Sequence, residues 1–426
     1  MSRWYYIASG FFLLISTDAF SYIDMSIYGF WRGKPGDKFT EALNLLSIIL
    51  SVLLFWWGSH KRRRPRFNRV LPLAFAGLLV TSALWSVTPS MTITRGVAYF
   101  FVVVGAIGIV EIHDSDEVMN LTALIGGLSA AISLLLLFLL PNTVIYEGGE
   151  FHGLFPQKNM LGQAMVVGVL AGLHGIRIRG RRRFYFIIVT ALCTIVAFLS
   201  KSTTSSLAIF AFFTWNIIGK LYIKGGVRRV ISICLTVVLV PAFIFLLMNR
   251  DLILSFLEKD LTLSGRTEMW PYVIDSIYQR PSFGWGFEAF WAQSNPVALD
   301  ISDVVGWYVS EAHNGMLEFL LDIGVVGTGF FLFLWIRNLV MAVKCINGPA
   351  KELGVSSLLF LMGILLIGVS ERVLLTVDGL TVQFFLLGFM CEKKLWLARQ
   401  ARSGVALRSG GLPLGQFGAP RSEDTA

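Results

Sequence analysis

The chain has 426 residues, of which 55% are hydrophobic and only 15% are charged, and its formal net charge is +9. A soluble protein of this length could not cover its surface with so few charges, so the composition indicates a protein solvated by lipid. The basic residues occur in short runs between apolar segments, which is typical of cytoplasmic loops and argues against nucleic-acid binding. The four cysteines are scattered without a CxxC pair, so we expect no disulfide framework, metal or cofactor.

Apolar stretches of about 17–25 residues predict an all-α polytopic membrane protein with about twelve transmembrane helices. The predicted spans are 4–22, 40–59, 70–86, 95–111, 119–140, 160–176, 184–200, 205–222, 230–249, 314–336, 353–370 and 374–391. The first span is not followed by a small-residue cleavage site, so we expect it to be retained and not to act as a signal peptide.

The distribution of basic residues predicts the orientation of these spans. With Arg3, the loops on one side hold 23 of the 36 Lys and Arg residues, whereas the other side has longer loops and holds 11. The positive-inside rule therefore places both termini in the cytoplasm, although the acidic loop 111–117 disagrees. We predict a membrane domain over 1–392 and a disordered cytoplasmic tail over 393–426, which is rich in Gly, Ser, Pro and Arg.

The one large outer loop, 250–313, is predicted to contain an amphipathic helix. Either Ser264 or Thr267 could cap this helix, and Arg280 and Pro281 would end it. Its apolar face is formed by Met269, Trp270, Val273, Ile274, Ile277 and Tyr278. The following "FGWGFEAF" predicts a tight glycine turn whose aromatic side chains suit either stacking on sugars or anchoring at the membrane interface.

Six cations lie on the outer face, which the topology otherwise depletes of basic residues. They are Arg95, Lys158, Lys201, Arg266, Arg280 and Arg372. Charge at a membrane edge is costly, so the group indicates an anionic ligand such as a diphosphate. For any single member, snorkelling or a structural ion pair is the alternative.

His313 begins the span that follows the large loop. A structural histidine is one interpretation, but a neutral imidazole is also well suited to take a proton from a hydroxyl group. Glu311 could orient the ring and Asn314 could bind substrate. Glu318 is expected to be a partner within the helix bundle, but the sequence leaves open which of the two glutamates orients His313.

Five motifs in order give these residues a family resemblance. The stretches "GRTEMW", "PSFGWGFEAF" and "HNGMLEFLLDIGVVG" resemble a pattern of the O-antigen ligase and polymerase superfamily of bacterial membrane glycosyltransferases, as do "LWSVTPSMTITR" and "GLFPQKNMLG". The lysine of the last motif, together with "SKSTTS", is more similar to the exopolysaccharide polymerase branch. The resemblance covers about residues 80–390.

The resemblance implies a mechanism at the periplasmic face of the bacterial inner membrane. An acceptor hydroxyl attacks the anomeric carbon of a lipid-linked oligosaccharide, and polyprenyl diphosphate leaves without help from a metal. His313 matches the base and Arg266 the loop arginine that serves catalysis or the diphosphate. Lys158 and Arg95 would neutralise the diphosphate, and Asn159 and Asn314 would bind sugar or phosphate.

One departure from the family pattern concerns the cation after the seventh or eighth span. Many members carry S-x-S-R there, whereas this chain supplies Lys201, which cannot grip a phosphate bidentately. Either Lys201 substitutes for the arginine, or Arg266 and Arg372 carry more of the work.

The predicted function is polymerisation of polyprenyl-diphosphate-linked repeat units into exopolysaccharide. The alternatives are a ligase that transfers glycan to lipid A or protein, a small-anion transporter, and a non-catalytic export scaffold. The expected partners are the bilayer, the lipid-linked oligosaccharide and, as in related systems, a flippase and a chain-length regulator.

Overall fold

The computed structural model describes residues 3–16, 38–60, 67–146, 149–178, 180, 182–248 and 266–403. Its helices are α1 (Arg3–Ile15), α2 (Lys38–Ser59), α3 (Val70–Thr81), α4 (Pro89–Ile112), α5 (Ser115–Leu139), α6 (Pro141–Val144), α7 (Lys158–Ile178), α8 (Arg183–Leu199), α9 (Thr203–Lys224), α10 (Gly226–Met248), α11 (Arg266–Gln279), α12 (Pro296–Val305), α13 (Gly315–Ile346), α14 (Lys351–Gly368) and α15 (Gly379–Arg402). A 3₁₀ turn (Ser82–Leu84) follows α3, and a two-stranded antiparallel hairpin, β1 (Ile145–Tyr146) and β2 (Glu150–Phe151), precedes α7.

The predicted all-α membrane architecture is confirmed at the level of helical content and apolar helices. Each of the predicted spans overlaps one helix. Within the part of the chain that the structure describes, six helices are long and apolar enough to cross a membrane: α4, α5, α7, α9, α13 and α14. Three shorter apolar helices in the same part lie at Leu45–Ser59, Val70–Leu84 and Arg183–Leu199. The number of crossings stays a prediction.

Several predicted boundaries are wrong for local reasons. Helix α4 begins at Pro89 and not at 95, because proline is favoured in a first helical turn. Helix α15 begins only at Gly379, because the Asp378 side chain accepts the Thr381 N–H as an N-cap. It also continues to Arg402, past the predicted start of the tail at 393, and residues 404–426 lie outside the described residues.

The helices run back and forth, so polar residues gather at two ends of the bundle. We call the end that carries α11 and α12 the loop end. The opposite end carries Arg69, Arg177 and Lys394, and we call it the basic end. The acidic loop 111–117, which disagreed with the charge rule, lies at the basic end among basic partners. Glu111 pairs with Arg69, and Asp114 lies 2.9 Å from the Lys394 ammonium.

A break in α13 fixes the large loop to the bundle. Gly324 has φ 62°, and a Cβ there would lie 2.5 Å from the backbone of 282–283. The loop residues 281–286 bond the backbone around this break, as Trp285 donates to the Leu321 carbonyl (2.8 Å) and Val325 donates to that of Pro281 (2.8 Å). The glycine is required because only glycine adopts this conformation without a clash.

The described part of the large loop has its own apolar core. The predicted amphipathic helix is α11, and Met269 and Val273 are fully buried against α12 and α13. Ile274 and Tyr278, which the spacing assigned to the same face, are instead 40% and 76% exposed. The segment 249–265, including Ser264, lies outside the described residues.

The "WSVTP" stretch before α4 is a docking point for the loop. The Trp85 indole N–H donates to the Phe283 carbonyl (3.0 Å), and the Thr92 hydroxyl donates to that of Phe287 (3.1 Å). The "FGWGFEAF" aromatics are mostly buried, with Phe287 and Phe290 at 1% and 0% exposure. Packing is therefore the role of Trp285, Phe287 and Phe290, whereas Phe283 is 50% exposed.

Candidate active site

His313 lies at the loop end and is held by Glu311. Its Nδ1 is 2.9 Å from Glu311 Oε1. The His313 side chain is 18% exposed and the Glu311 side chain is 23% exposed. A carboxylate beside Nδ1 favours a proton on that nitrogen, which would leave Nε2 as the proton acceptor. Glu311 is therefore the glutamate next to the imidazole, whereas the oxygens of Glu318 bond Trp291 and Ala312.

Glu318 is buried and braces the start of α13. Its carboxylate accepts hydrogen bonds from the Trp291 indole (3.1 Å) and from the backbone N–H of Ala312 (3.1 Å). The residue next to His313 is thereby fixed from inside the bundle. This agrees with the expectation that Glu318 is a bundle partner.

Glu371 joins His313 to the motif at the start of α7. The Asn159 amide donates to Glu371 Oε1 (2.9 Å), and one ligand atom from each of Glu311, His313 and Glu371 lies within 4.8 Å of the others. Among the described residues, these three are the group that could hold a metal ion. The 2.9 Å separation of His313 Nδ1 and Glu311 Oε1 is also that of a histidine–carboxylate ion pair.

Arg372 is the centre of a buried ionic network. Its guanidinium lies 2.9 Å from Glu288, 3.4 Å from Asp322 and 3.9 Å from Glu318. Burial alone would lower the pKa of Arg372, but the carboxylates of Glu288, Asp322 and Glu318 outweigh it and hold the pKa above its usual value. Arg372 is therefore enclosed by its own carboxylates, and the prediction that it meets a diphosphate directly is not supported by its position.

Glu288 connects this network to Arg95. The Arg95 guanidinium lies 2.9 Å from the Glu288 carboxylate and donates to the Glu288 carbonyl at 3.1 Å. Unlike Arg372, the Arg95 side chain is 44% exposed. Its guanidinium is therefore partly accessible at the surface while it pairs with Glu288.

Lys158 and Lys201 both lie near the β1–β2 hairpin. The Lys158 ammonium pairs with Glu150 of β2, and its side chain is 31% exposed. Lys201 is exposed, and its ammonium lies near Gly149 at the hairpin turn. Asn159, which bonds Glu371, directly follows Lys158 in the chain. The polar surface around Glu371 therefore continues to the hairpin and its two lysines.

Two other predicted site residues, Arg280 and Asn314, form contacts within the protein itself. The Arg280 guanidinium stacks 4.3 Å from the Trp285 ring centroid and donates to the Trp85 carbonyl, so it fastens the loop. Asn314 caps α13 through its side-chain oxygen and donates to the Val369 carbonyl, so its predicted role in substrate binding gives way to capping. The Arg266 side chain lies outside the described residues.

Arg266 nevertheless belongs to a helix that contacts the segment carrying His313. It begins α11, one turn before Trp270, whose indole N–H donates to the Ala312 carbonyl (3.0 Å). Arg266 is therefore in the first turn of the helix that contacts the segment carrying His313 through Trp270.

Unusual backbone conformations concentrate at this end of the molecule. Among the described residues, the non-glycine positions with positive φ are Lys201, Glu288, His313 and Leu374. Such conformations cost about 1–3 kcal/mol each and cluster at functional sites. Three of the four are residues of the polar surface described above, and Leu374 lies two residues after Arg372.

The sequence analysis missed two carboxylates of this surface, Glu288 and Glu371. It singled out cations and therefore passed over them, although Glu288 occurs inside the quoted "FGWGFEAF". The signal that could have found Glu371 is its position beside Arg372 at the end of an apolar span, where any charge is costly.

The fold and this surface define an α-helical membrane protein with a histidine–carboxylate pair and several cations at one end of its helix bundle. Residues 186–332, which run from α8 into α13 and include His313, match the family described as O-antigen ligase. The predicted resemblance to the O-antigen ligase and polymerase superfamily is therefore confirmed.

A curated relative extends the similarity over most of the chain. The exopolysaccharide production protein ExoQ of Rhizobium meliloti (strain 1021) is 24% identical over 436 aligned positions, which cover 90% of this chain and 95% of the relative. The similarity includes the parts that the family match does not reach, namely α4, α7 and the loop with Glu371. It agrees with the branch of the superfamily that the lysine-containing motifs predicted.

Proposed function

We propose that this protein polymerises polyprenyl-diphosphate-linked oligosaccharide repeat units into exopolysaccharide at the periplasmic face of a bacterial inner membrane. The observation that carries the proposal is the His313–Glu311 pair, which is mostly buried at the end of the bundle where the cations also lie. A flippase and a chain-length regulator would work beside it, as is usual for polymers built from lipid-linked units.

In the proposed reaction, His313 acts on the acceptor sugar. With Nδ1–H donated to Glu311, Nε2 accepts the proton of an acceptor hydroxyl, and that oxygen forms a bond to the anomeric carbon of the donor. The bond between this carbon and the diphosphate oxygen breaks, and polyprenyl diphosphate leaves with the electron pair. A positioned base of this kind contributes about 10²–10⁴ in rate.

The leaving diphosphate needs positive charge near the reacting bond. Lys158, Lys201 and Arg95 keep exposed ammonium or guanidinium groups at this end, and Arg266 begins the adjacent helix. Preorganised cations stabilise the charge that develops in the transition state, and each is worth about 10²–10³ in rate. Glu150 and Glu288 hold Lys158 and Arg95 in place before the substrate binds.

A ligase is the second candidate, and the O-antigen ligase family match favours it. It would use the same base and cations and differ in its acceptor, which would be lipid A or a protein. The similarity over 90% of the chain to a relative named for exopolysaccharide production favours an exopolysaccharide product over transfer to lipid A or protein.

The position of the break in α13 does not favour a transporter. Transporters place broken helices at mid-membrane substrate sites, where the freed backbone groups bind the solute. In α13 the break at Gly324 is occupied by the loop residues 281–286, which bond the surrounding backbone.

The lipid-linked glycan of a strain that lacks this protein separates the candidates. The polymerase predicts accumulation of single lipid-linked repeat units, and a ligase predicts accumulation of long lipid-linked chains. Normal glycan in both fractions would contradict both proposals. Complementation with His313→Ala should fail while the amount of inserted protein stays normal.

A further inference from the structure

Tryptophan side chains at the loop end divide into two kinds. Four of them donate their indole N–H to the protein: Trp85 to Phe283, Trp270 to Ala312, Trp285 to Ser276 and Trp291 to Glu318. These four hold the loop, the start of α13 and the "WSVTP" segment together. Trp307 is the exception, since its indole makes no hydrogen bond to another described residue.

Trp307 is held next to the candidate base. It follows Gly306, whose φ of 77° ends α12 and turns the chain toward His313. The centroid of the Trp307 indole lies 6.2 Å from that of the His313 ring, and the ring planes are inclined by 38°. The side chain packs on the loop core yet remains half-buried and not enclosed.

An indole of this kind has two means of holding a sugar. Its flat apolar face can cover the C–H face of a pyranose ring, and its N–H can donate to a hydroxyl. A Trp N–H normally finds a partner when it is buried, as in the other four. The vacant donor and the partly open ring thus point to a polar ligand with an apolar face, which is the character of a saccharide.

We propose that Trp307 is the platform for the acceptor sugar and positions its attacking hydroxyl at His313. This inference rests on the proposed function, because it assigns the sugar over His313 to the acceptor. It makes Trp307 a substrate-binding residue that determines which glycan is extended. The buried rings of "FGWGFEAF" hold the loop that supports it.

The test uses a free repeat-unit oligosaccharide, released from the exopolysaccharide of the producing strain by partial hydrolysis. This probe lacks a diphosphate, so it can serve as acceptor and not as donor. In nanodiscs, calorimetry should show binding to the wild-type protein, a Kd raised about tenfold or more by Trp307→Ala (about 1.4 kcal/mol) and an intermediate Kd for Trp307→Phe, which keeps a ring and loses the N–H. Tyr278→Ala, which removes an aromatic ring that is 76% exposed on α11, is the matched control and should bind as wild type.

A kinetic measurement distinguishes positioning from simple packing. With donor held constant, Trp307→Ala should raise the KM for the free oligosaccharide about tenfold and lower kcat less than about threefold. A role in packing or as a membrane anchor predicts less inserted protein with an unchanged Kd, and that result would overturn the proposal. So would the absence of binding to the wild type.

The binding measurement also separates this inference from the proposed function. His313→Ala removes the base and leaves Trp307, so it should bind the oligosaccharide as wild type while losing activity. If the wild-type protein binds the sugar through Trp307 but forms no polymer, the platform stands and the polymerase proposal fails.

Discussion

Replacing Glu311 by glutamine removes the charge that faces His313 and keeps the size of the side chain. The Glu311 carboxylate lies 2.9 Å from Nδ1, and both side chains are about four-fifths enclosed, with 23% and 18% exposure. A hydrogen bond to a charged group contributes about 1.5–3 kcal/mol. This interaction strengthens as the imidazole takes up a proton. Its loss therefore raises the free energy of the transition state more than that of the bound substrate. We therefore expect kcat to fall about 10- to 150-fold.

The assay is chain extension by the purified protein in liposomes that contain lipid-linked repeat units. Glu268→Gln, which changes an exposed glutamate of α11, is the matched control and should retain wild-type rates. The pair acts as one unit, so Glu311→Gln should cost little further activity in a His313→Ala background. A Glu311→Gln enzyme within about twofold of wild type, or a full additional loss in the double variant, would refute the orientation of His313 by Glu311.

Three further predictions concern the loop contact at Gly324, the ion pairs of Arg372 and the need for a metal. Gly324→Ala should reduce the yield of folded protein and its thermal stability in detergent, because its Cβ would lie 2.5 Å from the loop backbone; Gly329→Ala in the same helix meets nothing within 4 Å and should be tolerated. Arg372→Ala should destabilise the protein by about 3–5 kcal/mol, because it leaves Glu318 and Asp322 buried without a cation; a normal melting temperature would contradict this. Chelation with EDTA should leave the extension rate unchanged, because the proposed reaction uses only His313, Glu311 and basic side chains; activity lost to EDTA and restored by one divalent metal would assign the Glu311, His313 and Glu371 group to that metal.

The helices could be predicted because membrane thickness imposes a length on apolar segments that the sequence displays directly. Each predicted span overlaps a helix, and the predicted separation of α8 and α9 near Lys201 is also present. Errors occurred at helix ends, where single side chains decide. The cap of Asp378 on Thr381 and the proline at 89 moved the starts of α15 and α4.

The partners of the cations could not be predicted, because pairing between distant segments is a property of the folded chain. Arg95 and Glu288 are 193 residues apart, and Asn159 and Glu371 are 212 apart. A cation identified by its position alone has no visible partner, so the sequence favoured an external anion for all six. The structure places an internal carboxylate beside Arg95, Lys158 and Arg372.

The choice between Glu311 and Glu318 was undecidable for a related reason. Helical spacing applies only from Gly315 onward, because Asn314 caps α13 and His313 has φ 49°. The chain turns at His313, so Glu318 reaches back to Ala312 while Glu311 meets the imidazole. Trp307 was missed as well, because nothing in its local sequence separates it from the tryptophans used for packing.

The most direct test of the account is chain extension by purified wild-type and His313→Ala protein in liposomes that contain only lipid-linked repeat units. The account predicts that wild-type protein forms a ladder of longer lipid-linked glycans and releases one polyprenyl diphosphate per bond formed. His313→Ala should form none at equal amounts of inserted protein, and Arg266→Ala is expected to behave in the same way. A ladder of normal length from His313→Ala would contradict the assignment of His313 as the base.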